Sequence, residues 1–160
     1  MIETPQGARF ALGNVSDAAR QRNVAFVSLW DAFPNVTRIE VGAGGLGAWV
    51  LLAGSTNPMK TRLANGELRL RYADGSADVM ELVPPLNYWA LSGWGRADYD
   101  YETDAFTLPA VPPPTVQLGA ANRAMVYYWP LRKGATLEAV ELEALSEEVV
   151  IGILAVSVVS

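Results

Sequence analysis

Ala48-Trp-Val-Leu-Leu-Ala-Gly-Ser-Thr-Asn-Pro-Met59 decides the fold class: an unbroken apolar run stops at a glycine, three small polar residues and a proline. An apolar run of this length bounded by turn residues reads as a buried strand, and its polar end as a loop delivered rigidly to one edge of a sheet. The hydroxyls of that loop and the Asn57 amide are placed to contact a ligand, although Ser, Thr and Asn in tight turns also satisfy their own backbone.

Working outward, strand signals dominate on both sides. Residues 23–30 form an apolar, aromatic and β-branched run that ends at Asp31-Ala-Phe-Pro34, a turn signal. Residues 37–41 alternate as a short strand, and residues 42–47 are a glycine-rich connection into the Ala48 strand. Leu68, Leu70 and Tyr72 alternate with Arg69 and Arg71, which gives one apolar face and one face in water. Asn65-Gly66 before this strand and Ala73-Asp-Gly-Ser76 after it are hairpin-type turns, because Asn and Gly tolerate positive φ; together they predict a three-strand meander over residues 61–83.

Pro84-Pro85 and Val111-Pro-Pro-Pro114 bound a long irregular segment, after which strand pattern returns at residues 115–118, 123–131, 136–145 and 149–159. Helix signals are confined to residues 15–22 and 138–146, and in the latter Val140, Leu142 and Ala144 alternate with Glu141 and Glu143 at the period of a strand. Eight or nine short strands separated by Gly, Pro, Asn and Asp turns, with little helix, predict an all-β fold: an antiparallel β-sandwich of jelly-roll type. The C-terminal strand, apolar on both faces, is expected centrally in a sheet.

The length of 160 residues fits a single domain, 1–160, with residues 1–22 as an N-terminal extension packing on it. With 51% hydrophobic and 18% charged residues, the chain has the composition of a packed globular domain. A net charge of -5, with Arg132-Lys133 as the largest basic cluster, argues against nucleic acid and anionic membrane as partners. The chain has neither Cys nor His, which removes disulfides, thiolate chemistry, Ser-His-Asp triads and the usual zinc sites. Residues 1–10 lack the pattern of a signal peptide, and the longest apolar run spans about 11 residues, short of the roughly 20 of a membrane helix. The compartment stays open, with a periplasmic or extracellular setting expected if the chain belongs to a larger secreted protein.

Four constellations carry candidate chemistry. In Ser28-Leu-Trp-Asp31 with Phe33-Pro34, the Trp30 indole beside the Asp31 carboxylate suits a sugar ring and its hydroxyls; alternatively Trp30 packs in the core and Asp31 caps the turn. The second is the loop at residues 54–58 with Asn57. The third is the aromatic segment containing Tyr88, Trp89 and Trp94, followed by Asp98-Tyr-Asp-Tyr-Glu-Thr-Asp104. If that run is extended, Asp98, Asp100, Glu102 and Asp104 share one face and Tyr99 and Tyr101 the other. Alternate carboxylates suit a calcium ion, yet the glycine of an EF-type loop is missing and a solvated acidic face is the competing reading, so no cofactor is expected and calcium is the single alternative. In Tyr127-Tyr128-Trp129-Pro130, alternation puts Tyr127 and Trp129 on one side and Tyr128 on the other, as in ordinary sandwich packing. Asn14-Val-Ser and Asn35-Val-Thr also fit the glycosylation sequon.

Residues 23–34, Leu51-Leu-Ala-Gly-Ser-Thr-Asn-Pro-Met59, Tyr72-Ala-Asp-Gly-Ser76 and Glu148-Val-Val-Ile-Gly152 resemble, in that order, the C-terminal β-sandwich region of large bacterial proteins of unknown function related to six-hairpin glycosidases. The resemblance runs from about residue 22 to residue 158. It implies an accessory module whose catalytic partner, where present, is an α-helical toroid upstream. The chain departs from that pattern at Pro84-Pro-Leu-Asn-Tyr-Trp-Ala90, where a fuller Trp-Trp-Pro run is expected, and it is shorter after Val116.

The expected function is therefore a non-catalytic module associated with a carbohydrate-active protein. It would bind glycan or dock on a catalytic domain through Trp30, Asp31, Asn57, Trp89, Trp94, Tyr99 and Tyr101. The competing expectation is a purely structural or homo-oligomerising domain without a ligand. A small stand-alone glycosidase would need two carboxylates about 5–10 Å apart, which residues 98–104 could supply.

Overall fold

The computed structural model describes residues 1–12, 24–30, 32–55, 62–84, 86–88, 114–120, 122–147 and 149–160. Among them the chain forms eleven strands and no helix: β1 (Ile2–Glu3), β2 (Arg9–Phe10), β3 (Ala25–Ser28), β4 (Val36–Gly44), β5 (Gly47–Ser55), β6 (Gly66–Tyr72), β7 (Ala77–Leu82), β8 (Thr115–Leu118), β9 (Asn122–Pro130), β10 (Thr136–Ala144) and β11 (Val150–Val159). No helix of the described residues is long and apolar enough to cross a membrane.

All pairings are antiparallel. They build a four-stranded sheet of order β4-β10-β6-β7 and a five-stranded sheet of order β3-β11-β5-β9-β8. With the edge strand β8 set aside, these are the strand orders of a jelly roll, in which two Greek keys fold eight strands into facing sheets. The all-β sandwich is thus as expected, but the strand count exceeds eight or nine. The excess is β1 and β2, a pair of two-residue strands that form a separate hairpin.

The two sheets bury their facing sides against each other. Leu68, Leu70 and Tyr72 of β6, Val140 and Leu142 of β10, Val50 and Leu52 of β5, and Ile151 and Ile153 of β11 meet in one cluster. Each such side chain contributes roughly 1.5–3 kcal/mol relative to exposure. On the far side of the five-stranded sheet, Ala8 and Phe10 cover Leu51, Ala53, Val116, Ala124 and Val126. This second layer explains the unbroken apolar run in β5: Ala48, Val50 and Leu52 face the sandwich, Leu51 and Ala53 face the N-terminal hairpin, and Trp49 is half-buried at the margin of that cover.

β11 is an interior strand, paired with β3 and β5. Its register shifts between Ile153 and Ala155, so Leu154 is an extra residue. Such a bulge flips the alternation. Ile151 and Ile153 point into the sandwich before it, Val156 and Val158 after it, and Leu154 and Ala155 turn to the outer layer.

Two expectations are corrected. The meander reduces to the β6–β7 hairpin, because β10 flanks β6 on its other side. Asn65-Gly66 is therefore not a hairpin turn: Gly66 already belongs to β6, where a Cβ would come within 2.6 Å of Ile151 Cδ1 and 2.8 Å of the Glu143 carbonyl oxygen. Close packing, not turn geometry, accounts for this glycine. The other turn is as read, with Gly75 at φ 84° and the Asp74 Oδ1 accepting from the Ser76 N–H at 2.9 Å. Of the two helix signals, residues 138–144 lie in β10, and residues 15–22 lie outside the described residues.

The solvent face of the four-stranded sheet is laced by ion pairs across its strands. Arg38 reaches Glu40 at 2.7 Å, Glu138 at 3.2 Å and Glu141 at 3.0 Å; Arg71 reaches Glu141 at 2.7 Å, and Arg69 joins Glu67 and Glu143. Burial works against the Glu141 charge, but hydrogen bonds from Arg71 and Arg38 prevail and hold its carboxyl below the ordinary range.

Candidate binding surface

Ser28, at the end of β3, sets the geometry of the turn that follows. Its buried hydroxyl donates to the Val149 carbonyl at 2.7 Å and accepts from the Trp30 N–H at 3.2 Å. The Ser28 N–H donates to the Pro34 carbonyl and the Phe33 N–H to the Trp30 carbonyl, both at 3.0 Å, which closes the turn. With the backbone pinned this way, the Trp30 indole turns outward and is 49% exposed, its edge against Phe33 with ring centroids 6.2 Å apart. Trp30 is a surface residue, not a core one.

Phe33 and Pro34 line a groove of about 1050 Å³ along the flank of the sandwich. Its other walls are Ala25 and Phe26 of β3, Thr37, Ile39, Glu40 and Val41 of β4, and Ile153, Leu154, Val156 and Val158 of β11. β3 pairs with β11 over Ile153 to Val150 only, so past Ile153 no strand among the described residues pairs with that edge of β11. Across the gap, β4 is the edge strand of the other sheet. Phe26, 45% exposed, adds a third aromatic ring to this region.

The groove is apolar with polar points at Thr37 and Glu40, and Glu40 accepts from Arg38 at 2.7 Å. Such a surface suits a ligand that carries a C–H-rich face and hydroxyls on one body. Glycoside hydrolysis needs a pair of carboxylates; Glu40 is the one carboxylate among the described residues of the groove.

At the end of β5 the polar loop and the aromatic segment begin side by side. Tyr88 is fully buried and donates to the Ser55 carbonyl at 2.8 Å, while Tyr127 donates to the Asn87 carbonyl at 2.6 Å. Asn87 in turn accepts from the Val83 N–H and donates to the Glu81 carbonyl, both at 2.8 Å. Burial pushes the hydroxyl pKa of both tyrosines well up. Tyr88 is thus a core residue that pins the start of the aromatic segment beneath β5.

A further polar cluster ties the turn after β9 to the β6–β7 hairpin. Arg132 bonds Asp78 and the Ser76 hydroxyl and lies 4.7 Å over the Tyr72 ring, whose hydroxyl donates to Asp78 at 2.7 Å. Hydrogen bonds from Arg132 and then Tyr72 hold the Asp78 carboxyl below its ordinary value. Every group here is satisfied within the protein, which marks the cluster as a brace.

Of the residues expected to contact ligand, Trp30 is exposed and packs on Phe33, a residue that lines the groove. Asp31, Asn57, Trp89, Trp94, Tyr99 and Tyr101 lie outside the described residues, as do Asp98, Asp100, Glu102 and Asp104, the proposed calcium ligands. Among the described residues no group of three or more acidic, His or Cys side chains is placed to hold a metal ion. The structure adds Phe26, Glu40 and Ile39, which sequence reading missed. Their signal was present only as alternation within β3 and β4, and the meeting of β3, β4 and β11 around the groove is a tertiary property. Compared with known protein families, curated proteins and solved structures, the chain matches none.

Proposed function

We propose that this chain is a non-catalytic β-sandwich module that serves a carbohydrate-active protein by binding glycan at its open flank. The observation that carries the reading is the half-exposed Trp30, held out from the turn by Ser28 and packed on Phe33, which lines the flank groove. An exposed indole packed on a wall of an apolar groove is a stacking surface for a pyranose ring, and the Thr37 hydroxyl supplies a hydrogen-bonding partner for its hydroxyls. The test is a glycan array of plant and host polysaccharides probed with the labelled chain. Retention of a defined glycan class by the wild type, weakened in Trp30→Ala, is expected; no retention on any glycan would overturn the reading.

A structural role is favoured by one separate observation. Past Ile153 no described strand pairs with the β11 edge, which lies beside apolar Phe26 and Val156; an unpaired edge of this kind is where a neighbouring domain or a second copy adds a strand. Sedimentation of the chain decides this reading: a concentration-dependent dimer supports it, and a monomer at all concentrations removes the self-association version.

A further inference from the structure

The outer face of the five-stranded sheet carries a second aromatic surface. The registers of β11, β5 and β9 place Ser157, Trp49 and Tyr128 in one row across three neighbouring strands. Trp49 and Tyr128 stand side by side with ring centroids 4.7 Å apart and planes tilted by 49°. Tyr128 is 47% exposed, although Tyr127 and Trp129 on either side of it face the sandwich core.

The sheet is shaped to hold this ring. A Cβ at Gly47, next in line on β5, would overlap the Tyr128 ring, so the glycine leaves the space that the tyrosine occupies. The covering by the N-terminal hairpin reaches Leu51, Ala53, Ala124 and Val126, one row farther along the same strands. Ser157, Trp49 and Tyr128 thus form the row next to that cover.

We propose that this row is a second saccharide-binding surface, distinct from the Trp30 groove, that takes an uncharged pyranose chain laid across the strands. The exposed Tyr128 ring presents a face for sugar C–H groups beside the half-buried Trp49, which packs at the margin of the hairpin cover, and the Tyr128 hydroxyl and the Ser157 hydroxyl supply polar tips along the same line. Strands are spaced by about 4.8 Å, so the row offers one contact per strand to a chain of linked rings. No charged residue occurs at positions 47–49, 128–130 or 157–159, so the row itself matches an uncharged saccharide better than an anionic one. The row lies seven residues along β11 from Val150, the partner of Ser28 beside Trp30, roughly 20 Å away at ~3.3 Å per residue. One short oligosaccharide therefore occupies one surface, and a long polymer reaches both. This inference rests on the glycan-binding reading above.

The test is calorimetric titration of the full chain with cellotriose, xylotriose and mannotriose, each too short to span both surfaces. A stoichiometry near two is expected for the wild type with at least one of them, falling to one in Tyr128→Ala and to one in Trp30→Ala. Tyr128→Leu, which keeps apolar packing over Gly47 without the ring, is expected to behave as Tyr128→Ala and guards against a folding defect. A stoichiometry of one that Tyr128→Ala leaves unchanged and Trp30→Ala abolishes would overturn the second surface alone. No binding by the wild type would overturn both surfaces, and a change of oligomeric state in Tyr128→Ala without a change in binding would assign the row to self-association instead.

Discussion

Tyr88 donates its hydroxyl hydrogen to the Ser55 carbonyl oxygen over 2.8 Å, and its oxygen fills the space that a side chain at Gly54 would need. The last residues of β5 and the start of the aromatic segment are thereby one packed unit. Gly54→Ala would drive its Cβ into the Tyr88 hydroxyl and to 2.8 Å from the Val150 carbonyl oxygen, with an expected cost of about 1–3 kcal/mol. Tyr88→Phe should cost about 1 kcal/mol through the lost hydrogen bond. Because Phe also clears part of the clash, the double variant should cost less than the sum of the two single ones. Urea unfolding of the four proteins measures this directly.

Acid should weaken the brace around Asp78. Its folded-state pKa lies below the ordinary 3.8, through hydrogen bonds from Arg132 and Tyr72. A depressed carboxylate contributes stability that is fully present above the unfolded value and is lost as pH falls through the folded value. The urea midpoint of the wild type should therefore drop more steeply below pH 3.8 than that of Asp78→Asn. Equal slopes would show that Asp78 makes no such contribution.

Alkali acts on the buried tyrosines with the opposite sign. Tyr88 and Tyr127 are held protonated by burial, so the unfolded chain releases these protons near pH 10 while the folded chain keeps them. Their contribution is present below pH 10 and fades as pH rises beyond it. Absorbance titration at 25 °C should show at least two of the six tyrosines silent until the protein unfolds.

Alternation in β6 separates two classes of residue one position apart. Leu70→Ala, in the sandwich core, should cost about 2–5 kcal/mol. Arg69→Ala, which removes ion pairs to Glu67 and Glu143 on the solvent face, should cost about 1 kcal/mol or less. Thermal unfolding of both variants checks the assignment of faces.

The fold was largely legible because β6, β10 and β5 state their burial in their alternation, and Ala73-Asp-Gly-Ser76 states its turn. Asn65-Gly66 was misread because a dipeptide cannot show that β10 lies alongside and that Ile151 presses on Gly66. The β1–β2 hairpin has two residues per strand, too few to carry a period. The Leu154 bulge was hidden for another reason: a strand apolar on both faces reads the same in either phase. At the site, Trp30 was visible as a residue, but its exposure depends on Ser28 bonding to Val149, which lies 121 positions away. The groove is walled by β3, β4 and β11, and among the described residues β3 pairs with only the first four residues of β11, a relation between strands far apart in sequence.

The proposed glycan binding at the open flank depends on contact between the sugar and Trp30. The deciding measurement is the calorimetric affinity of wild type and Trp30→Ala for the polysaccharide that the array selects, with Phe33→Ala beside them. A loss of at least tenfold at the flank site, about 1.4 kcal/mol, is predicted for Trp30→Ala, with a smaller loss for Phe33→Ala. Affinity at that site unchanged by Trp30→Ala in a folded protein would contradict the account.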